Sequence, residues 1–278
     1  MRDKRMLFSV DVEDWYQVEN LKSAISRQSW DSRESRVVES TVRLLDILET
    51  SGSTATFFVL GYIARRHPSL VRRIHDAGHE IASHGDGHEL LNQMTPSRIE
   101  NDVLGTKKML EDLTGSEVLG YRAPAFSITD EAVDILFRCG YVYDSSMFAF
   151  SLHDRYGKLR KRPAYHSDGL MRHENGLFEI PLSMLSIMGR KLPWAGGGYF
   201  RLLPYSIFRA GALRALSSDG AFAFYMHPWE IDPGQPRVSG LKITHRFRHY
   251  LNLDMTYDKI SRLVGDFSLR PYRDIIQS

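Results

Sequence analysis

Two histidines stand four residues apart in the stretch SHGDGH, His84 and His88, a spacing that lets both imidazoles face one metal ion if the segment turns helically. Taken alone, the pair is better explained as solvated or hydrogen-bonded surface side chains. Its surroundings change the weight. Asp11, Glu13 and Asp14 follow the apolar run LFSV, His84 follows EIAS, Arg122 follows VLGY, Asp144 follows YVY and His227 follows FAFYM. Polar residues that recur just past short apolar runs are expected at the ends of parallel strands, where one face of a barrel gathers side chains remote in sequence. Two histidines and one carboxylate at such a face form an open metal site with positions left for water and a substrate.

Those side chains need elements to hold them. Short apolar runs alternate with longer segments of helical period, the pattern of strand-helix units around a parallel sheet or barrel. Strands are expected at 6–11, 55–60, 80–83, 118–122, 141–144, 178–181 and 222–227. Val37, Val38, Thr41, Leu44, Leu45 and Leu48 mark one face of a helix that stops at Ser51-Gly52. Further helices are expected over 61–77, 96–114, 129–139, 204–218 and 256–267, and an irregular excursion from His153 to Asn175. No repeat or Pro/Ser-rich linker divides the chain. One domain over 1–278 is expected, with an extension from about residue 190 packed on the barrel.

The bulk composition excludes several classes. With 42% hydrophobic and 25% charged residues the chain can bury a full core, so disordered and fibrous classes fall away. A net charge of +2 gives no field of the strength nucleic-acid binding needs, and no nucleic-acid partner is expected. The single cysteine, Cys139, closes an apolar helical stretch and reads as a packed thiol. The apolar run near the start is too short for a signal peptide, and no stretch has transmembrane length, so the default location is cytoplasmic. Oligomeric state, including homo-oligomerisation, is left open.

The motifs SVDVEDW, ATFFVLG, SHGDGH, GYRAPAFS, YDSS and YMHPWE, in that order, resemble those of polysaccharide deacetylases with the NodB homology domain. GGGYFRLLP, HPWEIDPGQPR and RHYLNL add a resemblance to the branch associated with exosortase and exopolysaccharide gene clusters, and the likeness spans about Leu7 to Phe267. The resemblance implies an α/β fold, a distorted, incomplete (β/α)7-type barrel. It also implies one divalent metal, zinc first and cobalt, nickel or iron as alternatives, and an N-acetylated oligo- or polysaccharide as substrate.

Carried over by position, the resemblance makes His84 and His88 metal ligands, Asp11 the general base and His227 the general acid, with Asp144 as the partner that raises its pKa. The metal carboxylate is either Glu13 or Asp14. Strand alternation puts Glu13 on the side of Asp11, whereas Asp14 has the family's usual side chain, and Asp14 is the preferred ligand. Arg122, fixed by its neighbours Gly120 and Pro124, is expected to hold Asp11 ionised. Trp15, Tyr16, Trp194, Tyr199, Phe200 and Trp229 are aromatics with faces suited to sugar rings, and the glycines before Tyr199 permit close approach of a ligand. Glu230 positions either His227 or substrate, and Pro124 is placed at the substrate edge. The expected reaction is hydrolysis of the acetamide of N-acetylhexosamine units. Two alternatives stand beside it: cleavage of another C–N bond, such as a cyclic amide in the manner of allantoinases, and sugar binding by a decayed site.

Overall fold

The run RMLFSVDV forms β1 (Arg5–Val12), and its near-continuous apolar character is that of a strand covered on both faces. In the computed structural model, which describes residues 5–148, 157, 159–167, 169–187 and 189–277, the chain continues through α1 (Val37–Thr50), β2 (Thr56–Val59), α2 (Gly61–Arg66), α3 (Pro68–Asp76), β3 (Glu80–Ser83), α4 (Pro96–Thr114), β4 (Gly120–Tyr121), α5 (Asp130–Arg138) and β5 (Tyr143–Asp144). Next come β6 (Ala164–Ser167), β7 (Leu170–Arg172), β8 (Phe178–Glu179), β9 (Met184–Ile187), β10 (Arg190–Pro193), α6 (Gly197–Leu202), α7 (Tyr205–Asp219) and β11 (Ala221–Met226). The chain closes with α8 (Ile243–Tyr250), α9 (Leu253–Asp266), β12 (Leu269–Arg270) and α10 (Arg273–Ile276).

The main sheet runs in the order β11-β1-β2-β3-β4-β5-β8-β7-β6, parallel from β11 to β8, with β12 also paired to β1. Among the described residues no ladder joins β8 back to β11. The gap is spanned instead by single contacts: the Ser183 N–H reaches Ala223 O and the Tyr225 N–H reaches Ala195 O, at 3.4 and 2.8 Å. This is the incomplete barrel that the family resemblance implied, built from the strand-helix units that the alternation of apolar runs implied.

Side-chain alternation on β1 separates two cores. Met6, Phe8, Val10 and Val12 join the large cluster between sheet and helices, whereas Leu7 joins an inner cluster with Phe58, Ala82, Tyr143, Ala223, Tyr272 and Ile275. The inner cluster is closed by the last segment of the described chain: Tyr272 and Ile275 fill the barrel, and buried Glu80 accepts the Arg273 N–H and the Tyr143 hydroxyl. Above this apolar plug the barrel interior turns polar.

Several boundaries differ from the sequence expectation for identifiable reasons. The helix expected over 61–77 is two, because Pro68 forces His67 out of helical geometry (φ −134°, ψ 60°). The excursion from His153 to Asn175 contains the β6–β7 hairpin, turning at Gly169 with φ +72°; His153 itself lies outside the described residues.

Candidate active site

On the inner side of β1, Leu7 is followed at alternate positions by Ser9 and Asp11, and Glu13 continues the series just past the strand. Arg122, fully buried at the end of β4, meets this row. Its guanidinium donates to Asp11 Oδ1 at 2.6 Å, Ser9 Oγ at 2.9 Å, Tyr272 Oη at 3.1 Å, Ser145 O at 3.1 Å and Ser145 Oγ at 3.0 Å, with the Phe58 ring 4.0 Å below. All five donors of the planar fork therefore have work, and Asp11 is held in one orientation. The expected tether of Asp11 by Arg122 is what the structure places there.

Glu13 faces three histidines. Its Oε1 lies 2.9 Å from His227 Nε2 and 4.0 Å from His84 Nε2, and its Oε2 lies 3.2 Å from His88 Nε2 while accepting no hydrogen bond. Burial pushes the Glu13 carboxyl up, but His88, His227 and His84 outweigh it and hold the group at about 2. The imidazole of His84 is oriented by its other nitrogen, Nδ1, 2.8 Å from Arg122 O, which leaves Nε2 for the cavity. The two histidines do not ride on a helix. They sit in a loop where Gly85 has φ +71° and His88 φ +54°, and Asp102 of α4 accepts the Asp86 N–H at 3.1 Å to hold it.

Asp14, preferred from the sequence as the carboxylate ligand, is turned away from the histidines. Its oxygens accept from Trp15 N (3.0 Å), Ser35 Oγ (2.7 Å), Arg36 N (3.1 Å) and Val37 N (3.4 Å), so it satisfies the free N–H groups at the start of α1. Strand alternation, which puts Glu13 on the side of Asp11, gives the observed geometry. Glu13, His84 and His88 carry ligand atoms all within 4.8 Å of one another, and the fully buried Oε2 of Glu13, which faces His88 Nε2 at 3.2 Å but accepts no hydrogen bond, is the kind of atom that a cation would satisfy. These residues fit one divalent ion.

His227 follows β11 and is polarised by Glu230 rather than Asp144. Its Nδ1 lies 2.8 Å from Glu230 Oε1, and Glu230 Oε2 accepts from Arg201 Nε at 2.9 Å. Burial would lower the His227 pKa, yet Glu13 and Glu230 together raise it to about 10. Arg201 lies in the stretch GGGYFRLLP, but only its contacts in the fold give it this role. The glycine-rich turn serves this group: a Cβ on Gly197 would fall 2.0 Å from Glu230 Oε2, so that glycine lets the backbone approach Glu230 rather than a ligand.

Asp144 is corrected as the partner of His227. It is fully buried beside Glu179, its register partner on β8, and accepts from Ser146 Oγ at 2.6 Å. Burial and the facing carboxyl push Asp144 well up, and burial pushes Glu179 to about 7, so the two are held largely protonated below that pH. Because Glu179 ordinarily titrates near 4.5, the folded state binds the extra proton between about 4.5 and 7, and stability falls as pH rises through that window. Glu179→Gln keeps an acceptor for the Met147 N–H and is expected to flatten this slope, gaining up to about 3 kcal/mol over the parent at pH 8. Denaturant titrations at several pH values check it; parallel pH profiles for the two proteins would rule it out.

Asp11, Glu13, His84, His88 and His227 open together into a cavity of about 130 Å³, completed by Val18, Glu19, Asn20, Ala125, Phe126, Tyr225 and Trp229. Trp229 stacks between His227 and His249, with ring centroids 5.2 and 4.4 Å away. Pro124 opens the tight turn whose next residues, Ala125 and Phe126, adopt φ +49° and +59° and present themselves to the cavity. Tyr199 does not line it and is exposed on α6; Trp15, Tyr16, Trp194 and Phe200 are buried in the core.

Residues 28–143 match the polysaccharide deacetylase family, and residues 145–277 match a domain described as of unknown function, DUF3473. The chain is 34% identical over 101 residues to a peptidoglycan-N-acetylglucosamine deacetylase of Bacillus cereus, covering 36% of this chain and 47% of that protein. Among solved structures it resembles a Mycobacterium smegmatis protein assigned as a polysaccharide deacetylase, with TM-score 0.58, 22% identity and coverage of 96% of this chain and 85% of that one. It also resembles a family 4 pseudoenzyme of Bacillus anthracis, with TM-score 0.51, 15% identity and coverage of 98% and 65%. The chain spans between about a fifth and a half of the length of the curated relatives it matches.

Residues 28–143, under half of the chain, carry the match to the polysaccharide deacetylase family. The site is built across both matched segments: His84, His88 and Arg122 lie in the first, His227 and Glu230 in the second, while Asp11 and Glu13 precede both.

Proposed function

We propose that this chain hydrolyses the acetamide of N-acetylhexosamine units in a polysaccharide or its precursor, releasing acetate. The observation that carries the reading is the convergence of Asp11, tethered by Arg122, with Glu13, His84, His88 and His227 around one cavity. Glu13, His84 and His88 would hold one divalent ion, zinc being best suited to a two-histidine, one-carboxylate set. When bound, that ion supplies Lewis-acid polarisation of the amide carbonyl and lowers the pKa of water.

The remaining chemistry belongs to the side chains. Asp11, oriented by Arg122, takes the proton of the attacking water as the C–O bond forms. His227 gives its Nε2 proton to the amide nitrogen as the C–N bond breaks, because a sugar amide anion is too basic to leave unprotonated. Glu230 keeps His227 cationic until that transfer. Acetate and a free amino sugar result, with atoms and charge balanced. The small cavity admits an acetamido group and the edge of one ring, and Trp229 and Phe126 supply apolar walls. The retained acid, base and ligand set supports turnover over sugar binding alone, and it supports metal-assisted chemistry over metal-free cleavage of a cyclic amide.

Acetate release from a panel of N-acetylated oligosaccharides, with and without chelator, tests the reading; no release from any of them with metal supplied would overturn it. Metal content of two variants tests the ligand set. Glu13→Gln is expected to lower metal affinity tenfold or more, whereas Asp14→Asn retains the metal and loses about 1 kcal/mol of stability through the start of α1. Equal metal loss in both variants would return Asp14 to the ligand set.

A further inference from the structure

α8 stands out from the other helices. Of its side chains only His249 is buried, while Ile243 is 86% and Phe247 56% exposed. A single exposed apolar residue needs no explanation, but two large ones a helical turn apart form one patch. Lys242, Arg246 and Arg248 surround them, all exposed. From Pro233 to Leu253 the chain has four Lys or Arg residues and no Asp or Glu, although the whole chain is nearly neutral at +2. The local basic excess therefore does not follow from overall composition.

The helix is nonetheless firmly held. Arg201 donates to the carbonyls of Arg248, His249 and Leu251 at 2.8 to 3.0 Å, and His249 stacks on Trp229 while its Nε2 lies 2.7 Å from Gln235 Oε1. α8 is thus anchored through its C-terminal end and presents its outer face as a preformed surface. It packs on the short helical turn Glu19–Leu21, whose Glu19 and Asn20 line the catalytic cavity. α8 therefore lies close to the site.

We propose that α8 is a membrane-surface helix that seats this protein on a bilayer bearing anionic headgroups. Ile243 and Phe247 enter the interface, and Lys242, Arg246 and Arg248 contact the headgroups. Charge selects this occupant over a second copy of the chain: an isologous contact through α8 would set cation against cation with no acidic residue on the segment to answer. Seating at this edge places the cavity against glycan held close to the membrane.

Co-sedimentation with vesicles tests the proposal using the full chain. Vesicles of about 7:3 phosphatidylcholine to phosphatidylglycerol are expected to carry the protein down at low salt and release it in roughly 0.5 M salt, while phosphatidylcholine alone carries little. Ile243→Ser with Phe247→Ser is expected to reduce partition at least tenfold. Lys242→Gln with Arg246→Gln is expected to reduce it and to remove most of the salt dependence. All four positions are exposed, so melting temperature and acetate release from a soluble oligosaccharide should stay unchanged. No binding of the unaltered protein to anionic vesicles would overturn the proposal. So would self-association in analytical ultracentrifugation that the serine variant abolishes, without any vesicle binding.

Discussion

Arg122→Met is expected to destabilise the fold by about 3–5 kcal/mol and to remove most of the hydrolytic activity, the larger part of the first effect coming from Asp11 rather than from the arginine itself. Arg122 has no exposed surface and Asp11 almost none, so removing the guanidinium leaves a carboxylate stranded in the barrel. Ser9, Ser145 and Tyr272 lose a donor at the same stroke. Methionine fills similar volume, so the loss reads electrostatics rather than a cavity. Arg122→Lys restores charge without the fork and should recover only part, because one ammonium cannot serve Asp11, Ser145 and Tyr272 together. Adding Asp11→Asn to Arg122→Met is expected to regain stability while activity stays lost, a coupling that a double-mutant cycle measures in denaturant. A loss below about 1 kcal/mol in the single variant would show that Asp11 is not held as an ionised partner.

The elements that carry the site were largely readable from pattern. β3 and α4 fall where apolar runs and Pro96 place them, and the residues after β1, β3, β4 and β11 do converge on one face. The physics behind this is simple: period-two burial and strand-end convergence depend on local sequence, which the chain displays directly. Pairings across the fold do not have that property. Order along the chain pairs Asp144 with His227, whereas sheet register places it opposite Glu179, and register follows from β5–β8 pairing that two-residue strands do not announce. Arg201 was invisible for the same reason. Its partners, Glu230 and the carbonyls of 248, 249 and 251, arrive from elements distant in sequence.

Asp14 illustrates a different limit. Its residue type is the usual ligand of the family the motifs resemble, but residue type alone does not fix where a side chain points. One residue of offset turned the side chain toward the bare N–H groups at the start of α1, where Arg36 and Val37 lack a cap of their own. A carboxylate there has an occupation as specific as metal binding. The structure assigns Glu13 to the cavity because strand alternation, a weaker signal on paper, is enforced by the barrel wall.

His227→Asn is expected to lower kcat by about 10²–10⁴-fold with metal retained, the range for loss of a positioned general acid. The more telling variant is Glu230→Gln. His227 must be protonated to deliver its proton, so activity falls as pH rises through its pKa, and Glu230, after Glu13, helps to raise that pKa. Glutamine still accepts from Nδ1 but carries no charge. The alkaline limb of the kcat profile should therefore move to lower pH by about one unit, with the acidic limb unmoved. Arg201 keeps three carbonyl acceptors, so the variant should fold, and a purely structural role for Glu230 would lower kcat or stability without displacing the limb. A limb that stays in place would assign the raised pKa to Glu13 alone and reduce Glu230 to an anchor for Arg201. A limb that moves would make the Arg201–Glu230–His227 chain, drawn wholly from the second matched segment, the device that sets the working range of the acid.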